Sequence, residues 1–167
     1  MACRIALALG CRLTIRRGVY NRATRHLKSL PEWLRAVRDF VQAGWLQLSA
    51  MYSAQVLDHF QNPRNPGMVP DPDARVEIEN PACGDVLELT ARVEDGRIEE
   101  IRFRAKGCVA AMACASALTE IVSGIPVRGA RKIQREELLN KVGGLPEASE
   151  HAAYLAMDAL QELLKKM

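Results

Sequence analysis

The residues Val86-Leu87-Glu88-Leu89-Thr90-Ala91-Arg92-Val93-Glu94-Asp95-Gly96-Arg97-Ile98-Glu99-Glu100-Ile101-Arg102-Phe103-Arg104-Ala105 decide the fold. Leu87, Leu89, Ala91 and Val93 alternate with Glu88, Thr90 and Arg92, the period of a strand with one covered face. Glu94-Asp95-Gly96-Arg97 is a hairpin turn, and its Asp-Gly pair suits a type I′ geometry. In the return strand, Ile101, Phe103 and Ala105 lie on one face and Arg102 and Arg104 on the other. Ala74–Glu79 reads as a third strand, so the expected sheet is small, antiparallel and buried on one side.

The hairpin places the start of one strand beside the end of the next. Two cysteine-bearing segments therefore meet at one end of the sheet. Before it stands Asn80-Pro81-Ala82-Cys83-Gly84-Asp85, a tight turn in which Pro81 fixes φ and Gly84 permits a positive one, pushing the Cys83 thiol outward. After it stands Gly107-Cys108, which opens an Ala-rich run. A thiol at a helix N-terminus is expected to favour the thiolate. Two loop-borne thiolates and the Asp85 carboxylate at one sheet end suggest a metal site.

Helical patterns surround this sheet. Tyr52, Val56 and Phe60 share one face of a short helix with Ser53 as N-cap, stopped by Asn62-Pro63-Arg64-Asn65-Pro66-Gly67. His59, at its end, reads as a packed or capping residue. Val109–Ser123 reads as a small-residue helix ended by Gly124. Cys114 lies six residues beyond Cys108, about 9 Å along a regular helix and turned by roughly 120°, and reads as a small buried hydrophobe. Gln134–Lys141 suggests a short helix. After Gly143-Gly144-Leu145-Pro146, a final helix carries Ala148, Ala152, Leu155, Ala156, Ala159 and Leu163 as its apolar stripe, with Asp158, Gln161, Glu162 and Lys165 outside. The class is α+β: a small antiparallel sheet of about three strands packed against α-helices.

The net charge of +3 conceals an asymmetry. Residues 1–50 hold nine Lys or Arg against Glu32 and Asp39, a balance of +7, and the remainder is at −4. The basic excess lies outside the expected core, so it gives no ground for nucleic-acid binding. The run Ile5–Leu9 is too short for a membrane span or a signal-peptide core, although Leu9-Gly10-Cys11 faintly matches a lipoprotein cleavage site and the Arg-rich character a transit peptide. Pro31–Leu48 fits a helix with Trp33, Val37, Val41 and Trp45 at a four-residue spacing. The expected organisation is an extension over 1–50, with the core beginning abruptly at Met51 and running to residue 167. Five cysteines, an odd and irregular set, point to a reducing, cytoplasmic setting.

The landmarks Tyr52, Asp58-His59-Phe60, Asn62-Pro63-Arg64-Asn65 and Gly67, then Asn80-Pro81-Ala82-Cys83-Gly84-Asp85, then Gly107-Cys108, Ala113, Ser116 and Thr119-Glu120, resemble the U-type iron–sulfur cluster scaffolds: IscU, SufU and the N-terminal domain of NifU. The resemblance covers about Met51 to Met167. It implies an α+β fold and a transient iron–sulfur cluster, [2Fe–2S] in type, or zinc, held by three cysteines and an aspartate. Carried over by position, Cys83, Asp85 and Cys108 are three of these. The third cysteine of the family falls on Ala152, which cannot ligate a metal. His151 matches a histidine found beside that cysteine, and would complete a Cys₂-His-Asp set of iron or zinc ligands.

The implied partners are a cysteine desulfurase and acceptor apo-proteins. The chaperone-recognition motif of IscU is degraded, with Glu147 and Ser149 where Pro and Lys would stand, which argues against a dedicated heat-shock chaperone. An oxygen ligand and an exposed loop suit a carrier that must let its cargo go. The leading expectation is a scaffold that is not an enzyme. A zinc-bound persulfide acceptor with sulfurtransferase activity, or a cluster-free partner-binding homologue, are the alternatives.

Overall fold

A computed structural model describes residues 31–167. The apolar run Ile5–Leu9 and the cysteines Cys3 and Cys11 lie outside the described residues. The chain divides into two compact units, Met1–Ala43 and Gly44–Met167. The boundary falls inside the first helix described, α1 (Glu32–Met51). In α1 the expected apolar face is not covered at Val37 and Val41, which are exposed together with Phe40.

The second unit continues with α2 (Ala54–Gln61), β1 (Ala74–Glu79), β2 (Val86–Glu94), β3 (Arg97–Lys106), α3 (Val109–Val122), α4 (Val127–Ala130), α5 (Arg135–Lys141), a 3₁₀ turn (Glu147–Ser149) and α6 (His151–Lys165). Its sheet has the order β1-β2-β3, all antiparallel, with Leu89 opposite Val76 and Phe103. The turn between β2 and β3 has φ of 50° at Asp95 and 71° at Gly96, the two positive values that a type I′ turn requires. Helices α3 and α6 pack on the apolar face formed by Leu87, Leu89, Ile101 and Phe103. Ala110, Ala113, Ala115 and Ala117 of α3 are all fully buried, and their small size lets the helix lie close to its neighbours.

Two expectations about burial need correction. The polar face of β2 is not open: Glu88 and Thr90 are both buried. The loop from Asn62 wraps this side, pairing with the β3 edge through the Gly67 N–H to Phe103 O (2.8 Å) and the Phe103 N–H to Asn65 O (3.1 Å). It then donates the Val69 N–H to Thr90 Oγ1 (2.9 Å), while Glu88 pairs with Arg75 at 2.6 Å. Ala148 is the second correction. It is exposed and precedes α6, because the chain after Pro146 makes a 3₁₀ turn before the helix begins. The rest of the expected stripe, Ala152, Leu155, Ala156, Ala159 and Leu163, is buried.

The Asn-Pro-Arg-Asn segment joins α2 to α3. Ser53 caps α2, accepting from the Val56 N–H. Ser116 Oγ accepts the Arg64 backbone N–H at 2.8 Å and lies 3.0 Å from His59 Nδ1. On its other side, the His59 Nε2 atom lies 3.9 Å from Glu120. Arg64 in turn pairs with Asp58 at 2.5 Å. His59 is therefore a packed residue, as its sequence context implied.

Candidate metal centre

The ladder ends with Glu79 opposite Val86 and Val86 opposite Lys106. The connections 80–85 and 107–108 therefore emerge together, as the hairpin demanded. The first is a closed turn: the Gly84 N–H donates to Asn80 O (2.8 Å), the Asn80 N–H to Asp85 O (2.8 Å), and the Ala82 N–H to Asn80 Oδ1 (2.9 Å). Gly84 takes a φ of 71°, a conformation that L side chains rarely adopt. The turn leaves Cys83 exposed at its tip and directs Asp85 inward, where it is only 6% exposed.

One atom of each of Cys83, Asp85 and His151 lies within 4.8 Å of the other two. His151 Nε2 is 3.7 Å from Asp85 Oδ2. His151 reaches this position because it is the first residue of α6, whose next residue, Ala152, is buried in the core. A tetrahedral ion with bonds of about 2.0–2.3 Å holds its ligand atoms roughly 3.3–3.8 Å apart. The separation of His151 Nε2 from Asp85 Oδ2 already falls in this range.

Cys108 is not a member of that trio, although it is bound to it. Its backbone N–H donates to Asp85 Oδ1 at 3.2 Å. Its Sγ caps α3, accepting the Ala111 N–H at 3.4 Å. The cap geometry matches the sequence reading, but its electrostatic consequence does not. Burial pushes the Cys108 thiol above its usual range, with the nearby Asp85 carboxylate adding to the rise, and this outweighs the N–H groups of Ala111 and Ala110. Cys114 is fully buried and its thiol is pushed up to about 12 by burial. It is the packed small residue that its spacing implied.

Asp85 has one acceptor left open. Oδ1 is occupied by the Cys108 N–H, but Oδ2 is buried without a hydrogen-bond partner. A buried orphan acceptor costs about 1–3 kcal/mol, and an incoming cation would satisfy it. Two thiols, an imidazole and a carboxylate are donors suited to iron or zinc.

Two contacts around the site had no sequence signal. The Tyr52 hydroxyl and Ser149 Oγ are 3.1 Å apart, tying the start of α2 to the turn that precedes His151. Gly107 stands against the Asp85 side chain. Both join residues far apart in sequence.

A small α+β protein with a Cys/Asp/His constellation at one end of a three-stranded sheet is the class these features define. Residues 51–167 match the family described as NifU-like N terminal domain, and the chain belongs to that family. It is similar to "Iron-sulfur cluster assembly scaffold protein IscU 1" of Archaeoglobus fulgidus, at 44% identity over 114 residues, which span 68% of this chain and 74% of that protein. A relative in Aquifex aeolicus, "Iron-sulfur cluster assembly scaffold protein IscU", is 38% identical over 120 residues, spanning 71% and 76%. The crystal structure of a NifU-like protein (N-terminal) from Brucella abortus has the same fold, with a TM-score of 0.58 over 71% of this chain and 95% of that one, at 20% identity. Among the described residues no helix is long and apolar enough to cross a membrane.

Proposed function

We propose that this chain is a scaffold on which iron–sulfur clusters are assembled and from which they are passed to apo-proteins. The cluster, [2Fe–2S] in type, is cargo rather than a resident group, and Cys83, Asp85, Cys108 and His151 hold it. Zinc suits the same donor set. The observation that carries this reading is the Asp85 Oδ2 atom, buried, unpartnered and facing His151. The names of the curated relatives support it independently.

Each residue has a distinct part. Cys83, exposed on its turn, is the thiol open to a partner, and a cysteine desulfurase is the natural source of sulfur for it. Cys108 gives up its proton on binding, and its sulfur then keeps the Ala111 N–H as a charge-assisted partner. His151 is half-buried at the rim, so its bond is exposed to water. Asp85 is a hard oxygen donor to a soft centre, which favours release. The scaffold domain is 51–167, and the chain acts as a carrier without catalysing a reaction. The reading is tested by mixing cluster-loaded protein with an apo-ferredoxin under anaerobic conditions. The visible chromophore is expected to move to the ferredoxin on a sizing column, and a chromophore that stays put or is lost as free iron would contradict the proposal.

A further inference from the structure

Gly107 lies between β3 and Cys108. A Cβ placed on it would sit 2.6 Å from both Cγ and Oδ1 of Asp85 and 2.9 Å from its Cβ. Its φ is not positive, so the requirement here is room and not backbone freedom. Asp85 is pressed flat against a residue with no side chain, and that is where its carboxylate finds the Cys108 N–H.

We infer that Gly107 is a positioning residue for the metal centre. The empty side-chain position at 107 fixes the Asp85 carboxylate with Oδ1 on the Cys108 N–H and Oδ2 turned toward His151. The inference rests on the ligand reading of Asp85 given above. Gly107 donates nothing to a metal itself.

A methyl group at 107 cannot be accommodated by rotating Asp85 about χ1. Rotation moves Cγ and the oxygens, but it leaves the Asp85 Cβ where it is, still 2.9 Å away. The backbone at the start of β2 has to move as well, and there Val86 is paired with both Glu79 and Lys106. Displacing the carboxylate breaks its bond to the Cys108 N–H and turns Oδ2 away from the trio. The contact thus couples the two cysteine-bearing segments: the residue before Cys108 sets the orientation of the residue two after Cys83.

The test is Gly107→Ala, read in two ways. The first is Zn²⁺ and Co²⁺ affinity of the full chain by chelator competition. The second, made without metal, is the Cys108 amide resonance. Gly107→Ala is expected to weaken both metals by about 10–100-fold, the usual cost of disturbing a residue that orients a ligand. It is expected to move the Cys108 amide as Asp85→Ala does, and Asp85→Gly/Gly107→Ala, in which the opposing Cβ is gone, should bind no worse than Asp85→Gly alone. Unchanged affinity with an unmoved amide overturns the inference, and so does a double variant whose losses multiply. If Asp85→Ala leaves affinity intact while Gly107→Ala still moves the amide, the ligand reading of Asp85 has failed and the inference falls with it. Should Gly107→Ala not fold, Asp85→Gly/Gly107→Ala removes the opposing Cβ and is expected to regain the circular dichroism of Asp85→Gly. A double variant that stays unfolded also overturns the inference.

Discussion

Asp85→Asn should stabilise the metal-free protein and weaken metal binding, two effects of opposite sign. Asparagine has the shape of aspartate, and its Oδ1 still accepts the Cys108 N–H, held at 3.2 Å in the native chain. What changes is Oδ2, which is buried and has no hydrogen-bond partner; in asparagine an amide –NH2 takes its place and can donate to the His151 imidazole beside it. A buried unsatisfied polar group costs about 1–3 kcal/mol. The imidazole of His151 at 3.7 Å offsets part of that, which places the expected gain near 1 kcal/mol. For a protein of this size, about 1 kcal/mol raises the midpoint of thermal unfolding by about 2–4 °C. The amide nitrogen cannot ligate, so metal affinity should fall by at least the about 10–100-fold that an orienting residue alone is worth. The assay is thermal unfolding in chelator at pH 8, paired with Co²⁺ titration of the same preparations. A variant that is less stable without metal, or that binds as tightly as the native chain, would show that the carboxylate is structural.

Other outcomes follow from burial and charge. Iodoacetamide should label native Cys83 first, Cys108 slowly, and Cys114 only after unfolding, since the three are exposed, half-buried and fully buried; peptide mass spectrometry reads the order, and early labelling of Cys114 would contradict the packing of α3. Burial, with Arg64 second, holds the His59 imidazole below its usual range. Its folded pKa is thus below the unfolded value of about 6.5, so stability is complete above that pH and is lost as pH falls through the folded pKa. Urea midpoints should therefore drop from pH 7.5 to 5.5, and His59→Gln, which can still bond Ser116, should flatten the drop; an unchanged slope would contradict the placement of His59. Asp58 and Glu120, held low by Arg64 and Lys141, lose their contribution only in the more acid carboxylate range. A chain starting at Met51 should fold and bind Co²⁺ as the full chain does, measured by the same titration; marked loss of solubility would place the start of the domain earlier.

The parts of this molecule that were legible in sequence are those set by neighbours along the chain. The alternation over 86–105 and the Asp-Gly pair gave the hairpin, and the hairpin alone brings 80–85 beside 107–108. Ser53, as a cap, needs only Val56. The parts that were not legible depend on what folds over them. Glu88 and Thr90 follow the pattern of an open face, yet the loop carrying Val69 closes over it. Cys108 has the helix-cap position expected of an activated thiol, but the core around it decides its proton affinity. Gly107 has the place of an ordinary strand-end glycine, and only the approach of Asp85, twenty-two residues earlier in the sequence, gives its lack of a side chain a purpose.

Anaerobic reconstitution of the full chain with ferrous iron, sulfide and a cysteine desulfurase tests the central claim most directly. The account predicts a visible chromophore with near-stoichiometric iron and acid-labile sulfide, lost together in Cys83→Ala and in Cys108→Ala. A native chain that stays colourless under those conditions, or a chromophore that survives either substitution undiminished, would contradict it.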